Sequence, residues 1–294
     1  MMKNFEKYHP IVLFSYFMVV IGMAMFFMHP VYLFLTFIAA MTLNYLLQRR
    51  HFWKNLFMYI PLFFIMAIIN PLISHNGQRV ILYVNGNAIT VEAICYGMAM
   101  ALMIIAVIIW FNSYNDVMTS DKFLYLFGKL SPTLALTISI TMRLIPRFKH
   151  QIHLIAQAQK TIGMDYTAGN PWQRIKSVIR IMSILITWAL ENAIETADSM
   201  KARGYGLPGR ATFSLFVFEK RDGWMLGIIA LLAGLSVVGS LLGNTTFYFY
   251  PTFSDIYWTV ESVSFYSGYA ILLAIPIAIE IKEGIKWRYL KSTI

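Results

Sequence analysis

The sequence predicts an all-α membrane protein with about six transmembrane helices and an inserted cytoplasmic region of long amphipathic helices. Three observations predict it. Only 13% of the 294 residues are charged against 58% hydrophobic, too small a polar fraction to coat a soluble globule of that size. Six apolar runs, near residues 11–28, 31–47, 56–73, 93–111, 224–242 and 263–281, are each about as long as the ~17–25 residues that cross a bilayer core. With six crossings, every Lys and Arg except Arg79 falls on one side, and the opposite loop near 243–262 carries only Asp255 and Glu261. That asymmetry marks the basic side as cytoplasmic, both termini included. It accounts for the net charge of +10 without nucleic acid.

The expected organisation is a four-span region over 1–111, a cytoplasmic or interfacial region of long amphipathic helices over 112–222, and a second group of membrane helices over 223–294. Lys3 and Lys7 precede the first run as in a signal peptide, but His29-Pro30 ends it, no small-x-small cleavage site follows, and a second span begins at once. The first helix is therefore expected to be retained, with His29-Pro30 as a tight outer turn. "QRRHFWKN" (48–55) has the mixed aromatic and basic composition of an inner membrane surface. The outer connection, 70–93, carries Asn-Gly pairs among β-branched residues, which predict turns and a small hairpin.

More than half of the Lys and Arg lie in 112–222, beside long apolar faces. "SDKFLYLFGKL" opens with Ser120 as N-cap and Asp121 in the first turn. "SPTLALTISITMRLIP" repeats the arrangement with Ser131 as cap and Pro132 at the first helical position. This stretch is short for a span, so a helix lying in or re-entering the inner interface is favoured over a further crossing pair. From Pro146 the apolar residues Phe148, Ile152, Ile155 and Ile162 recur at helical spacing, with Arg147, Lys149, His150, His153, Gln157 and Lys160 between them. After the break at Gly169-Asn170-Pro171, a second amphipathic series begins at Trp172. It runs Ile175, Val178/Ile179, Met182, Leu185/Ile186, Ala189, Ala193, Ala197 and Met200, opposite Arg180, Ser183, Thr187, Glu191, Glu195 and Asp198. A stripe of some 30 residues, ~45 Å long, suits either lipid or a protein partner. The mixed signs of its polar face favour the partner.

Catalytic constellations are not found. The sequence has no HExxH, CxxC or GxSxG, and Gly128-Lys129 lacks the flanking residues of a phosphate-binding loop. Cys95, the single cysteine, sits in an apolar run and reads as a small buried hydrophobe. His150 and His153 lie three apart without a third ligand and read as a solvated face. Glu92, Glu261, Glu280 and Glu283 fall near span ends, whereas an ion-coupled carrier places such groups at mid-membrane. The chain is expected to be a non-catalytic subunit without cofactor or metal, a self-sufficient carrier or channel being the alternative.

Charge concentrates instead at a helix end, "DSMKARGYG" (198–206). Gly204 suits the left-handed position that terminates a helix. Lys201 precedes it, and Ala202 and Gly204 leave Arg203 without bulky neighbours, free to fork onto a carboxylate in a partner's groove. A solvated helix end is the simpler reading. Upstream, Lys160-Thr161-Ile162-Gly163 echoes Lys201-Ala202-Arg203-Gly204, with Ile162 in place of Arg203.

Together with "NPLISHNG", "ITVEAICYG", "MRLIPRF" and "AQAQKTIG", this segment resembles the transmembrane T component of energy-coupling factor (ECF) transporters, the family that includes the cobalt and nickel CbiQ-type proteins. The resemblance covers most of the chain and is strongest over 70–222. It implies two cytoplasmic coupling helices whose tips dock into grooves on two ABC-type ATPase subunits, and a substrate-binding S component for a vitamin or metal ion held by the membrane part. By the same resemblance, Ala202, Arg203 and Gly204 form one docking tip and Thr161, Ile162 and Gly163 the other. The second departs from the family pattern by lacking the Arg, so that it docks either through Lys160 or by packing.

Overall fold

A computed structural model describes residues 5–49, 52–84, 87–207, 216–243, 245–256 and 258–292. Its elements, in order, are a 3-10 turn at Phe5–Lys7, then α1 (Pro10–Phe26), α2 (Pro30–Leu47), α3 (Phe52–Ile73), β1 (Val80–Val84), β2 (Asn87–Thr90) and α4 (Val91–Val117). They continue with α5 (Ser120–Leu130), α6 (Pro132–Thr161), α7 (Pro171–Ala202), α8 (Lys220–Leu241) and α9 (Val260–Ser292). The chain divides into two compact units, 1–123 with 216–294, and 124–215.

In the first unit α4 packs on α1, α2 and α3, while α9 packs on α2 and α8. The antiparallel hairpin β1–β2 precedes α4; its expected Asn85-Gly86 turn lies outside the described residues, as do Arg50 and His51 of the 48–55 loop. Gly97 lets α3 and α4 approach closely. A Cβ there would stand 2.7 Å from the Ala67 carbonyl oxygen, the group that Pro71, lacking an N–H, leaves without its helical donor. Asn70 Nδ2 donates to the Ala93 carbonyl at 2.8 Å across the same contact. In α9, Pro276 likewise frees the Leu272 carbonyl, and the buried Tyr16 hydroxyl of α1 donates to it at 3.3 Å.

Side-chain contacts define the two ends of this unit. At one, His29 caps α2 by accepting from the Val31 N–H at 3.2 Å, and its Nε2 lies 3.1 Å from the Tyr266 hydroxyl. Phe247 meets the His29 ring, and Phe249 packs on Tyr96 of α4. Here too the buried Glu92 accepts from the Arg79 N–H at 3.2 Å. Gly77 passes so close, at φ +130°, that a Cβ would meet the Glu92 carboxylate and the Thr90 hydroxyl at 2.7 Å.

At the other end, residues 5–9 gather three chain segments. The Phe5 N–H donates to Glu280 Oε1 at 2.9 Å. Lys122 Nζ donates to the Glu6 and Val117 carbonyls at 2.6 and 3.0 Å, with the Glu6 carboxylate at 3.6 Å. The His9 N–H donates to the buried Asp222 at 3.2 Å, whose second oxygen accepts from the Glu219 N–H at 3.1 Å. Lys122 and Asp222 are thus both buried and both satisfied, as buried charges must be.

Among the described residues, six helices are long and apolar enough to cross a membrane. They are not the six expected. α2, α3, α4, α8 and α9 qualify, but α1 stops at 17 residues, and α7 meets the same criteria of length and composition. The fourth helix runs past 111 to Val117, because Ser113 bonds back to the Ile109 carbonyl at 3.1 Å and Asn112 donates to the Tyr59 hydroxyl at 2.6 Å, which satisfies both polar groups within the bundle. α5 begins at Ser120 itself, so the residue expected to cap it is already its first helical one. The helices expected on either side of Pro146 are one continuous α6. An internal proline removes one hydrogen bond and bends a helix, and a long helix with intact flanks survives this.

Burial lowers the His29 pKa from 6.5 to about 4. Because the folded value is depressed, the neutral ring stabilises the fold fully above about pH 6.5, and that contribution is lost as the pH falls toward about 4. The melting temperature of the detergent-purified protein is expected to drop across this window. His29→Asn keeps a capping acceptor but has no proton to take up, so its melting curve should be flatter there. Equal pH slopes for the two proteins would remove His29 from the account.

Candidate functional site

The second unit carries the predicted site residues on an antiparallel hairpin of α6 and α7. Ile155 of α6 packs with Ile181 and Leu185 of α7, beside Ala156 and Trp188. Further along, Phe148 meets Trp188 edge-on with ring centroids 5.5 Å apart, and Arg147 donates to Asn192 Oδ1 at 3.3 Å. Residue numbers rise on one helix as they fall on the other, so the two C-terminal tips lie at opposite ends of the hairpin. The 32 residues of α7 separate them by roughly 48 Å.

The packed face of α7 is not the stripe expected from its spacing. Ser177, Ile181 and Leu185 are buried, whereas Ile175, Val178, Ile179, Met182 and Ile186 are exposed, as are Leu190 and Ile194. On α6, Ile155 is buried but Ile152 and Ile162 are exposed. α7 is apolar over more of its circumference than one stripe, which is also why it satisfies the criteria for a span. A wide apolar surface leaves the period ambiguous, and the partner helix decides which part is covered.

Both tips end in the same backbone device. In α7 the Gly204 N–H donates to the Lys201 carbonyl at 2.9 Å and the Tyr205 N–H to the Met200 carbonyl at 3.0 Å. In α6 the Gly163 N–H donates to Lys160 at 3.1 Å and the Met164 N–H to Gln159 at 3.0 Å. These are two Schellman motifs, each satisfying two otherwise orphaned carbonyls. Gly204 has φ +79° and Gly163 φ +83°, the left-handed region where glycine is favoured. The residues just before them, Arg203 (φ −84°, ψ 6°) and Ile162 (φ −89°, ψ 7°), occupy the same capping position. The four-residue echo in the sequence is therefore an equivalence of backbone geometry.

The side chains differ. At the α6 tip, Lys160 pairs with Asp165 at 3.0 Å, and the Thr161 hydroxyl donates to the Ala158 carbonyl at 2.7 Å. Asp165 also accepts from the Thr167 N–H and hydroxyl at 2.9 and 2.7 Å. Those hydrogen bonds, with Lys160 beside them, hold its pKa down at about 2. Lys160 thus has a counter-ion within its own loop, and Ile162, 71% exposed, is what the tip presents. At the α7 tip, Lys201, Ala202 and Arg203 are exposed. Among the described residues, Arg203 has no ionic or side-chain hydrogen-bonding partner.

Arg203 borders a cleft of about 420 Å³ lined by Leu136, Ser139, Ile140, Arg143, Met200, Gly204 and Tyr205. A neighbouring cleft of about 280 Å³ shares Ile140 and Arg143. Motif reasoning misses Arg143, since sixty residues separate it from Arg203 and only the antiparallel register brings them together.

A family model described as "Cobalt transport protein" (CbiQ) matches residues 3–215. The chain is also similar to energy-coupling factor transporter transmembrane proteins EcfT. It is 38% identical to that of Listeria innocua over 103 residues, 35% of this chain and 39% of the relative. It is 34% identical to that of Bacillus subtilis over 103 residues, again 35% and 39%, and 32% identical to that of Bacillus selenitireducens over 112 residues, 38% and 42%. The chain spans about two fifths of the length of the curated relatives it matches. Its bundle of long apolar helices and its match over most of its length make it a multi-pass membrane protein of the CbiQ family, the transmembrane T components of energy-coupling factor transporters.

Proposed function

We propose that the chain is the coupling subunit of an ECF-type importer, which links ATP hydrolysis by two partner ATPases to uptake by a separate S component that binds a vitamin or metal ion. The observation that carries this reading is the pair of helix tips with one backbone geometry, presenting an exposed Ile162 and an exposed Arg203 a helix length apart on a single hairpin. Two similar tips at such a spacing suit two similar sites on a dimeric partner. A continuous, packed hairpin moves as a lever, so motion at one tip is felt along its length. Ala202, Arg203 and Gly204, with Lys201, form one docking tip. Thr161, Ile162 and Gly163 form the other, docking by packing, with Lys160 held by Asp165.

In this reading the end of the first unit that carries Lys7, Arg49, Lys122 and Arg221 faces the cytoplasm, and the end that carries His29 and Glu92 faces outward. The α6–α7 hairpin lies along the inner surface, its exposed apolar side toward lipid or the S component. Single cysteines in a Cys95→Ser background, probed on intact cells with an impermeant thiol reagent, test this. Tyr83→Cys is expected to label, whereas Ala168→Cys and Leu207→Cys, at the two ends of α7, stay protected. Labelling at only one end of α7 would mean that it crosses the membrane.

The unequal tips respond differently to substitution. Ile162→Asp should weaken ATPase binding, because docking would bury an unpaired carboxylate; Ile162→Arg should assemble at least as well as the parent. If both variants co-purify with the parental amount of ATPase, the α6 tip is not a docking element.

Truncating one partner of a desolvated ion pair costs ~2–5 kcal/mol, since the other charge stays buried and unpaired. Arg203→Ala is therefore expected to weaken ATPase binding by about one and a half to four decades, at ~1.4 kcal/mol per decade. Arg203→Lys should recover only part, because an ammonium cannot form the two-pronged fork. Normal ATPase retention and full ATP-dependent uptake by Arg203→Ala would reduce Arg203 to a solvated helix end.

A further inference from the structure

Resting on that docking reading, we propose that Arg143 is a second docking cation, and that the cleft it shares with Arg203 receives an acidic side chain of the ATPase. Both arginines line one cleft of about 420 Å³, within the ~300–1,000 Å³ of ligand-sized sites. Both residues are exposed. Among the described residues, neither has an ionic or side-chain hydrogen-bonding partner. Arg147, one turn further along α6, commits a donor to Asn192 Oδ1, whereas Arg143 and Arg203 keep their side-chain donors available to a ligand.

Two like charges brought to one cleft repel, and an anion between them relieves the repulsion while accepting from both forks. Leu136, Ile140 and Met200 line the same space and suit the methylenes of an Asp or Glu side chain, while Ser139 adds a hydroxyl. The cleft is continuous with the α7 tip, since Arg203 and Gly204 belong to both. A groove element that receives the tip therefore brings its acidic side chain to Arg143 as well. Docking reads two helices at once, and is sensitive to the register between α6 and α7.

The test measures the affinity of each variant, in detergent, for the ATPase subunits isolated from the parent complex. Arg143→Ala is expected to lose roughly tenfold or more, with Arg143→Lys recovering part of it. The double variant Arg143→Ala/Arg203→Ala should lose less than the product of the single losses, because one acidic group serves both. Circular dichroism of Arg143→Ala should match the parent, since the residue is exposed.

Parental affinity in Arg143→Ala, with loss in Arg203→Ala, would overturn the shared cleft and leave the docking tip standing. Parental affinity in both would overturn the docking reading itself. An anionic lipid headgroup is the other source of the same chemistry. If the Arg143→Ala loss occurs in phosphatidylglycerol nanodiscs but not in phosphatidylcholine ones or in detergent, the cleft is a lipid site and the proposal fails.

Discussion

In a bundle this apolar, each backbone carbonyl released from its helical bond needs a specific neighbour, and the prolines decide where. An unsatisfied carbonyl in hydrocarbon costs several kcal/mol. Pro276 opens the Leu272 carbonyl, and the Tyr16 hydroxyl of another helix closes it. That bond fixes the height of α1 against α9, and the aromatic residues around Tyr16 follow, with Phe5, Phe17 and Trp110 packed edge-on about it. Pro71 opens the Ala67 carbonyl, against which Gly97 lies directly. Helix pairing in the first unit is thus set by a few polar accounts to be settled rather than by the apolar surface, which is nearly uniform.

Charge is handled by the same rule at the end where the chain leaves this bundle and returns to it. Lys122 closes on two carbonyls and Glu6, and Asp222 closes on the N–H groups of His9 and Glu219. Residues 5–9 thereby hold both the outgoing and the returning segment of the region 124–215. A buried ion pair or carboxylate of this kind is not a large source of stability. Its effect is to make the position of these segments on the bundle specific.

Much of this was legible in the sequence and some was not, for physical reasons. Long apolar runs and one-sided Lys and Arg are dictated by the bilayer, so five of the expected spans recur as helices that meet the length and composition of a span. The 17-residue α1 falls just short. The helix stops were legible because Gly163 and Gly204 must take a left-handed conformation. Pro146 misled, since local sequence shows the lost hydrogen bond but not the packing of Phe148 and Ile155 that carries α6 through it. The face of α7 was misassigned because Ile175, Ile179, Ile181 and Leu185 place apolar groups on several sides, and only α6 selects among them. The pairing of Lys160 with Asp165 was overlooked because a loop, rather than a helical period, brings them together. Arg143 and Arg203 share a cleft only once the register of the hairpin is known.

The equivalence of the tips separates geometry from chemistry. A glycine just past the helix fixes how each tip ends, through two backbone hydrogen bonds in which the preceding side chain takes no part. That preceding position can then carry Ile or Arg without altering the main chain, as the matching dihedrals of Ile162 and Arg203 demonstrate. Under the proposed docking, burying an isoleucine side chain is worth ~1.5–3 kcal/mol and losing a desolvated Arg contact costs ~2–5 kcal/mol, so the two tips would hold a partner with comparable strength. They differ in what weakens them. Salt screens the charge at long range and slows its encounter, whereas the apolar contact is not screened and is strengthened by excluded salts. In the proposed docking, a hairpin held by one contact of each kind keeps one end seated under conditions that loosen the other.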